Sequence, residues 1–384
     1  MIIAFYNQGF LVEREAINAL RKLPGVKLVV IEIVSFPTAE QAEIACKVLI
    51  EQKCRAVVTI NDWGMDWHGV TAAFLQKNGI LHINWCVDDP FFIETMHGVP
   101  LPCYPNRIDF VSDRGYVQPM KMRGVQAHFL PLATDPSIFY PLHPRPEYLR
   151  DVCFIGSSYV KEVEDYIGQY MPFIEERIGF VHELIHAYKA DMNFDIGARI
   201  YERLGRDALP EGLTRERAIL MLKYFIGYSY RKQVVTGLAS RFPDFKVFGD
   251  AEWTVFLPRE KVAMAVGYYI NLNETYQQTR VNIDINRAVI RDGFTQRVFD
   301  CGASGSFVIT SAKPIMREYF ECEGPDREVV LFDNEEDLMQ KAEYYRTRDA
   351  ERTAITRRAR EKVSAHHTYD HRIHEMFAII RDAL

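Results

Sequence analysis

The first 130 residues alternate short apolar runs with stretches of helical period. Segments 2–6, 26–33, 56–60 and 80–85 are largely apolar runs rich in β-branched residues, and 13–22, 39–52 and 70–77 space their apolar residues as helices do. Strands apolar on both faces, alternating with helices, predict a parallel sheet covered on both sides. Segments 110–112 and 127–130 extend it as two further short strands. Ligands of such sheets bind outside the carboxyl ends of the strands. The polar residues there are Asn7-Gln8-Gly9, Asn61-Asp62 and Asp88-Asp89-Pro90.

A proline-rich stretch, 131–146, reads as a linker. A new strand, 152–155, ends in Gly156-Ser157-Ser158, and 161–230 is helical in character with no strand pattern, as an insertion would be. The α/β rhythm then resumes, with helices at 231–240, 261–266, 295–303 and 335–346 and strands at 246–248, 281–285, 307–309 and 329–332. Asp333-Asn334 is a cap for the last of these helices. In 371–384, Ile373, Met376, Phe377, Ile380 and Leu384 share one helical stripe. The division that follows is an N-terminal α/β domain at 1–140, a second at 148–365 carrying the insertion 161–230, and a terminal helix at 366–384.

Composition narrows the class. A formal net charge of −6 argues against nucleic-acid binding, which leaves a basic footprint. No apolar run reaches the roughly 20 residues that span a bilayer, and Met1-Ile2-Ile3-Ala4 reads as a first strand rather than a secretory leader. The 7 cysteines are odd in number and never spaced Cys-x-x-Cys, which fits neither a disulfide framework nor a zinc ribbon and suggests a reducing cytoplasm.

The most informative stretch is 281–310: strand, polar loop, short helix, glycine turn, strand. Asp292-Gly293 gives a flexible approach, and Thr295 is placed to cap a helix whose first N–H groups would face a diphosphate. Asp300, farther along that helix, suits two ribose hydroxyls because a carboxylate accepts both. Asp292, before the helix, is placed to meet the sugar.

Acid, Gly-aromatic, seven intervening residues and a second acid resembles the Glu-x7-Glu region of GT-B glycosyltransferases, with Asp292 and Asp300 at the two acidic positions. Asp88-Asp89-Pro90, Phe129-Leu130-Pro131-Leu132-Ala133-Thr134-Asp135-Pro136, Asp151-Val152-Cys153-Phe154-Ile155-Gly156, Arg297-Val298-Phe299-Asp300 and His367-Thr368-Tyr369-Asp370-His371-Arg372 together resemble the CgeB-like glycosyltransferases. The resemblance implies two Rossmann-like domains facing a cleft, with the second holding a nucleotide-diphosphate-sugar, most simply a UDP-sugar. It also implies a terminal helix that crosses back onto the first domain, and no bound metal. Donor-binding residues would be Gly156, Ser157, Arg231, Asn286, Gly293, Phe294, Thr295, Arg297 and Asp300, with Lys161 a further cation.

Transfer to a hydroxyl acceptor, whether glycan, protein or small molecule, often requires a base. Asp62, Asp88-Asp89 and His68 lie after strands of the first domain and are its candidates; with Asp292 on the donor side, the catalytic set is Asp62, Asp88 and Asp292. Trp63, Trp67 and Trp85 sit at the same strand ends and can stack on an acceptor or simply fill the core. The insertion is expected to recognise the acceptor or form a homo-oligomer, so that its deletion would spare nucleotide binding. A nucleotide-sugar epimerase and a non-catalytic scaffold are alternative readings. A third is a zinc peptidase, because His182-Glu183-Leu184-Ile185-His186 has the His-Glu-x-x-His spacing, with Glu202 as a possible third ligand.

Overall fold

The computed structural model describes residues 1–205 and 209–383. The chain divides into two compact units, Met1–Ala133 with His367–Leu384, and Thr134–His366.

The sheet of the first unit has the strands β1 (Ile2–Asn7), β2 (Lys27–Glu32), β3 (Ala56–Ile60), β4 (Leu81–Cys86), β5 (Arg107–Val111) and β6 (Gln126–Phe129). Their order is β2-β1-β3-β4-β5-β6, and every pairing is parallel. Strands β3, β4 and β5 are buried throughout, as strands covered by helices must be. On one face Phe5, Val58, Ile83, Trp85 and Phe110 pack against the helix Glu13–Arg21 and against Tyr369, Ile373, Met376 and Ile380 of the terminal helix Tyr369–Ile380. Thr368 and His371 close that helix start with a capping box, and Asp370 pairs with Lys22 at 2.8 Å. The predicted apolar stripe is therefore the face that enters this core. Leu384, read onto the same stripe from sequence, lies outside the described residues.

The second unit has β7 (Arg150–Ile155), β8 (Lys246–Gly249), β9 (Val262–Met264), β10 (Thr279–Asp284), β11 (Val308–Ser311) and β12 (Val330–Phe332). The order β12-β11-β10-β7-β8-β9 is again all parallel. Counted from its first strand, this is the Rossmann order, in which the chain reverses direction across the sheet between β7 and β10.

Three predicted elements are corrected. Segment 261–266, expected to be helical, is a 3-10 turn followed by the edge strand β9, because pairing of Val262 with Val247 and Ala263 with Phe248 overrides an ambiguous apolar run. Strand β5 begins at Arg107 rather than at 110; the polar Arg107 and Asp109 hid its start. The helix Arg215–Arg241 runs unbroken for 27 residues across the expected end of the insertion at 230. Insertion residues Val181, Ile196, Ile200 and Ile226 share one core with the sheet residues Val152, Phe154 and Ile283. The inserted segment is thus built into the second unit, not appended to it.

Candidate functional site

The Gly156 loop follows β7. Four contacts hold it. Arg231, projecting from Arg215–Arg241, donates to the Ser157 carbonyl at 3.1 Å and to the Ile285 carbonyl at 3.3 Å, so one guanidinium ties together the two strand ends at the switch point. The Trp253 indole N–H donates to the Gly156 carbonyl at 2.9 Å, and the Ser158 amide donates to Asp250 at 2.6 Å. Gly249 is required by this arrangement, since a Cβ there would lie 2.3 Å from the Gly156 oxygen. A Cβ on Gly156 would in turn come within 3.0 Å of the Phe154 ring and 3.7 Å of Arg231.

The electrostatics of this crevice are unbalanced. Arg231 is 7% exposed, stacked on the Tyr159 ring at 3.9 Å, and no carboxylate among the described residues lies within ion-pair distance of it. Burial pulls its pKa below the ordinary value; Tyr159 opposes that fall, the charges of Arg287 and Arg297 add to it, and Asp284 opposes it from farther away. Beside it, Asn286 is 3% exposed, and neither its Oδ1 nor its Nδ2 has a hydrogen-bond partner. Buried amides are almost always paired, so this one at a switch point is a candidate ligand contact. Asn286 is among the donor-binding residues that the resemblance implied; that both atoms of its amide are unpaired is visible only in the structure.

Asp284, at the end of β10, is fully buried and gathers three donors: Arg297 at 2.7 Å, Thr295 at 2.7 Å and Thr310 at 2.7 Å. Arg297 also donates to the Ile155 carbonyl at 2.5 Å. Burial opposes its charge, but Asp284 more than compensates, and the pKa of Arg297 rises. Thr295 was expected to cap the following helix. Instead its hydroxyl is drawn to Asp284, and the helix Arg297–Ser304 starts after Gln296 with no side-chain cap. Asp300 is 2% exposed and accepts from the Thr134 hydroxyl at 2.7 Å and the Tyr268 hydroxyl at 3.4 Å. Gly293 and Phe294 are buried, Phe294 packing on Phe299 and Tyr319, while Asp292 is half-buried. Lys161 is exposed and pairs with Glu252 at 3.3 Å. The structure therefore brings Gly156, Ser157, Arg231, Asn286 and Arg297 together around the ends of β7 and β10.

In the first unit the switch point lies between β1 and β3. Asp62 follows β3 and is gripped by both terminal nitrogens of Arg107, at 2.7 and 2.8 Å. The same guanidinium holds Asp109 at 2.5 and 2.6 Å. Burial raises the pKa of Asp62, but Arg107 and then His82 outweigh it, so the carboxylate is held below its usual range; Asp109 is pushed up by burial. His82, fully buried between the Thr59 and Tyr104 hydroxyls at 2.8 and 2.6 Å, is lowered to about 3, by burial first and Arg107 second. A carboxylate so paired is a weak proton acceptor. Asp88, exposed after β4, accepts from Asn61 at 2.9 Å, and Asp89 accepts from the Phe91 amide at 2.9 Å.

Sequence reasoning missed Glu13. Its Oε2 accepts from the Phe10 and Gln8 amides at 2.8 and 3.1 Å, its Oε1 is buried without a partner, and burial raises its pKa. Trp85 is core, donating to the Leu130 carbonyl at 3.1 Å; Trp63 is half-buried, and Trp67 is exposed. On the helix Ile178–Ala190, His182, Glu183 and His186 face solvent, and Glu183 pairs with Arg199 at 3.0 Å. Among the described residues no three His, Cys, Asp or Glu side chains group as metal ligands would.

Comparison with solved structures decides the architecture. Anabaena HepE in complex with UDP matches over 99% of both chains at 8% identity, with a TM-score of 0.55. T4 phage BGT in complex with its UDP-glucose substrate also matches over 99% of both chains, at 11% identity and a TM-score of 0.50. The fold is that of the GT-B glycosyltransferases. Residues 231–378 match the family model described as glycosyl transferase-like, a stretch that opens on Arg231 and takes in Asn286, Arg297 and Asp300. No curated protein is a significant match in sequence. Within this GT-B fold no helix among the described residues is long and apolar enough to cross a membrane.

Proposed function

We propose that the protein is a CgeB-like hexosyltransferase that moves a sugar from a nucleotide-diphosphate-sugar, a UDP-sugar, to a hydroxyl acceptor without a metal, in the cytoplasm. One observation carries this reading: Arg231 is a buried cation with no carboxylate among the described residues within ion-pair distance, beside the orphaned amide of Asn286. A buried charge with no carboxylate in contact is costly, and a diphosphate supplies a close partner that the more distant Asp284 does not. The match of 231–378 to a glycosyl transferase-like family, and the UDP and UDP-glucose bound by the two structural relatives, support the same ligand class.

In this reading Arg231 and the Ser157 amide receive the diphosphate where Gly156, lacking a side chain, leaves room for it, and Asn286 takes up a polar edge of the donor. Arg297 acts through Asp284 and Ile155 by fixing the loop. Gly293, Phe294 and Thr295 shape the approach, Asp300 addresses the ribose, and Asp292 addresses the sugar. Charge that builds on the leaving diphosphate is met by fixed guanidinium groups, the role a metal would otherwise take. On the acceptor side Asp88 is the better-placed base, since Arg107 binds Asp62 tightly and lowers its proton affinity.

The test is thermal denaturation with UDP, GDP, ADP and CDP. UDP should raise the melting temperature of the wild type in a concentration-dependent way, and Arg231→Met should lose that rise. Equal response to all four, or an undiminished response in the variant, overturns the assignment.

A further inference from the structure

The carboxyl ends of β1 to β4 carry a second built feature. Phe10 and Leu11 after β1, Val34 and Phe36 after β2, and Trp67 after β3 are each between 41% and 51% exposed. They are not scattered. Phe36 and Trp67 have ring centroids 4.8 Å apart, Trp67 and His97 5.3 Å apart, and Phe10 meets Trp63 edge-on at 4.3 Å. Each ring is held by a neighbour while a large part of it meets water. Exposed aromatic clusters on a soluble surface mark binding sites, and these occupy the end of a parallel sheet where ligands are received.

The polar residues among the rings say what kind of ligand. Segments 8–12, 33–38, 61–69 and 87–91 contain Asp62, Asp66, Asp88 and Asp89 and no lysine or arginine of their own; Arg123, from outside them, stacks on the Phe91 ring at 4.5 Å and is paired with Glu94. Asp66 is consumed by capping, accepting from the Val70 and Thr71 amides at 2.9 and 2.7 Å, and Asp62 by Arg107. Asp88 and Asn61, joined at 2.9 Å, stand at the rim with Gln8, whose side-chain carbonyl accepts from Ser35. Flat aromatic faces with carboxylate and amide groups beside them bind the apolar C–H face and the hydroxyls of a sugar ring together. The same acidic rim repels a polyanion.

We infer that the acceptor is a neutral saccharide, stacked on the Phe36–Trp67–His97 ladder with hydroxyls directed to Asp88, Asn61 and Gln8. The inference rests on the transferase reading, but its binding step requires no nucleotide. This permits a test in which the two fail separately.

Tryptophan fluorescence and saturation-transfer NMR would be recorded on the full chain without nucleotide, titrated with maltoheptaose, chitohexaose, a heparin-derived hexasaccharide and single-stranded oligothymidine. A neutral oligosaccharide should bind, the heparin fragment and DNA should not, and Trp67→Ala and Phe36→Ala should each weaken the neutral ligand roughly tenfold. The UDP-induced rise in melting temperature, measured on the same preparations, should persist in both variants and reports their folding. Preference for the polyanions, no binding of either neutral saccharide, or unchanged affinity in both variants overturns the inference. So does a dimer, seen by light scattering, that either variant dissociates, since the patch would then be a face between copies. A wild type that binds saccharide but ignores UDP sinks the donor reading alone.

Discussion

At the scale of single residues, the crevice at the ends of β7 and β10 holds groups that the fold leaves unsatisfied. Asn286 is the clearest. Its buried amide has no partner, and a buried polar group left unpaired costs about 1–3 kcal/mol. Leucine has nearly the same shape and no polar atom. Asn286→Leu should therefore raise the stability of the ligand-free protein by up to about 2 kcal/mol while weakening UDP roughly tenfold or more. Denaturant melts and calorimetric titration of the same variant check both halves; loss of stability together with unaltered UDP affinity would refute the role. Asp284 makes the contrasting case. With Arg297, Thr295 and Thr310 all bonded to it, it is a structural anchor that positions the loop. The sequence pointed to Arg297 and Thr295 as ligand contacts because their spacing was right. Which buried carboxylate their side chains turn toward was not legible there, since Asp284 is eleven or more positions away and only the sheet brings it near.

At the scale of elements, parallel strands β3, β4 and β5 place a polar layer inside the first unit. Thr59, His82, Asn84, Arg107 and Asp109 form a hydrogen-bonded chain that ends on Asp62. His82 titrates near 6.5 when exposed and at about 3 when folded. Between those values the unfolded chain holds a proton that the folded chain refuses. This contribution is therefore complete above pH 6.5 and is lost as the pH falls toward 3, by about 1.4 kcal/mol per pH unit. The lowered pKa of Asp62 has the same sign and acts at the acid end. Urea midpoints at pH 7, 5.5 and 4 should fall more steeply for the wild type than for His82→Gln; parallel slopes would show that His82 does not titrate in this way. These strands also explain one misplaced boundary. A hydrophobic pattern finds strands by their apolar residues, and β5 opens on a buried arginine held by Asp109 of the same strand and by Asp62 after β3.

At the scale of the whole molecule, helix Arg215–Arg241 joins the inserted helices to the crevice proposed to hold the donor. It contributes Ala218, Met221, Leu222 and Ile226 to the core shared with the inserted helices, and Arg231 to the switch point. Excision of 161–214 with a short linker should consequently abolish UDP binding along with any acceptor function, read out by calorimetry against the intact chain. Retained UDP affinity would show that the helix holds its position without the inserted segment.

The sequence by itself determined the alternation of strands and helices, the strand–helix–strand pattern of 281–310 and the apolar stripe of the terminal helix, because each is written in local periodicity and short-range spacing. The tertiary structure decided the rest. Strand order, the edge strand at Val262–Met264, the clamp of Arg231 on Ser157 and Ile285, and the clustering of Phe36 with Trp67 and His97 all depend on which distant segments pair. Asp62 shows the difference most plainly. Its place after a strand made it a candidate base, and a guanidinium supplied from 45 residues away took its basicity. Charge and burial are properties of neighbours in space, and a linear spacing does not specify them.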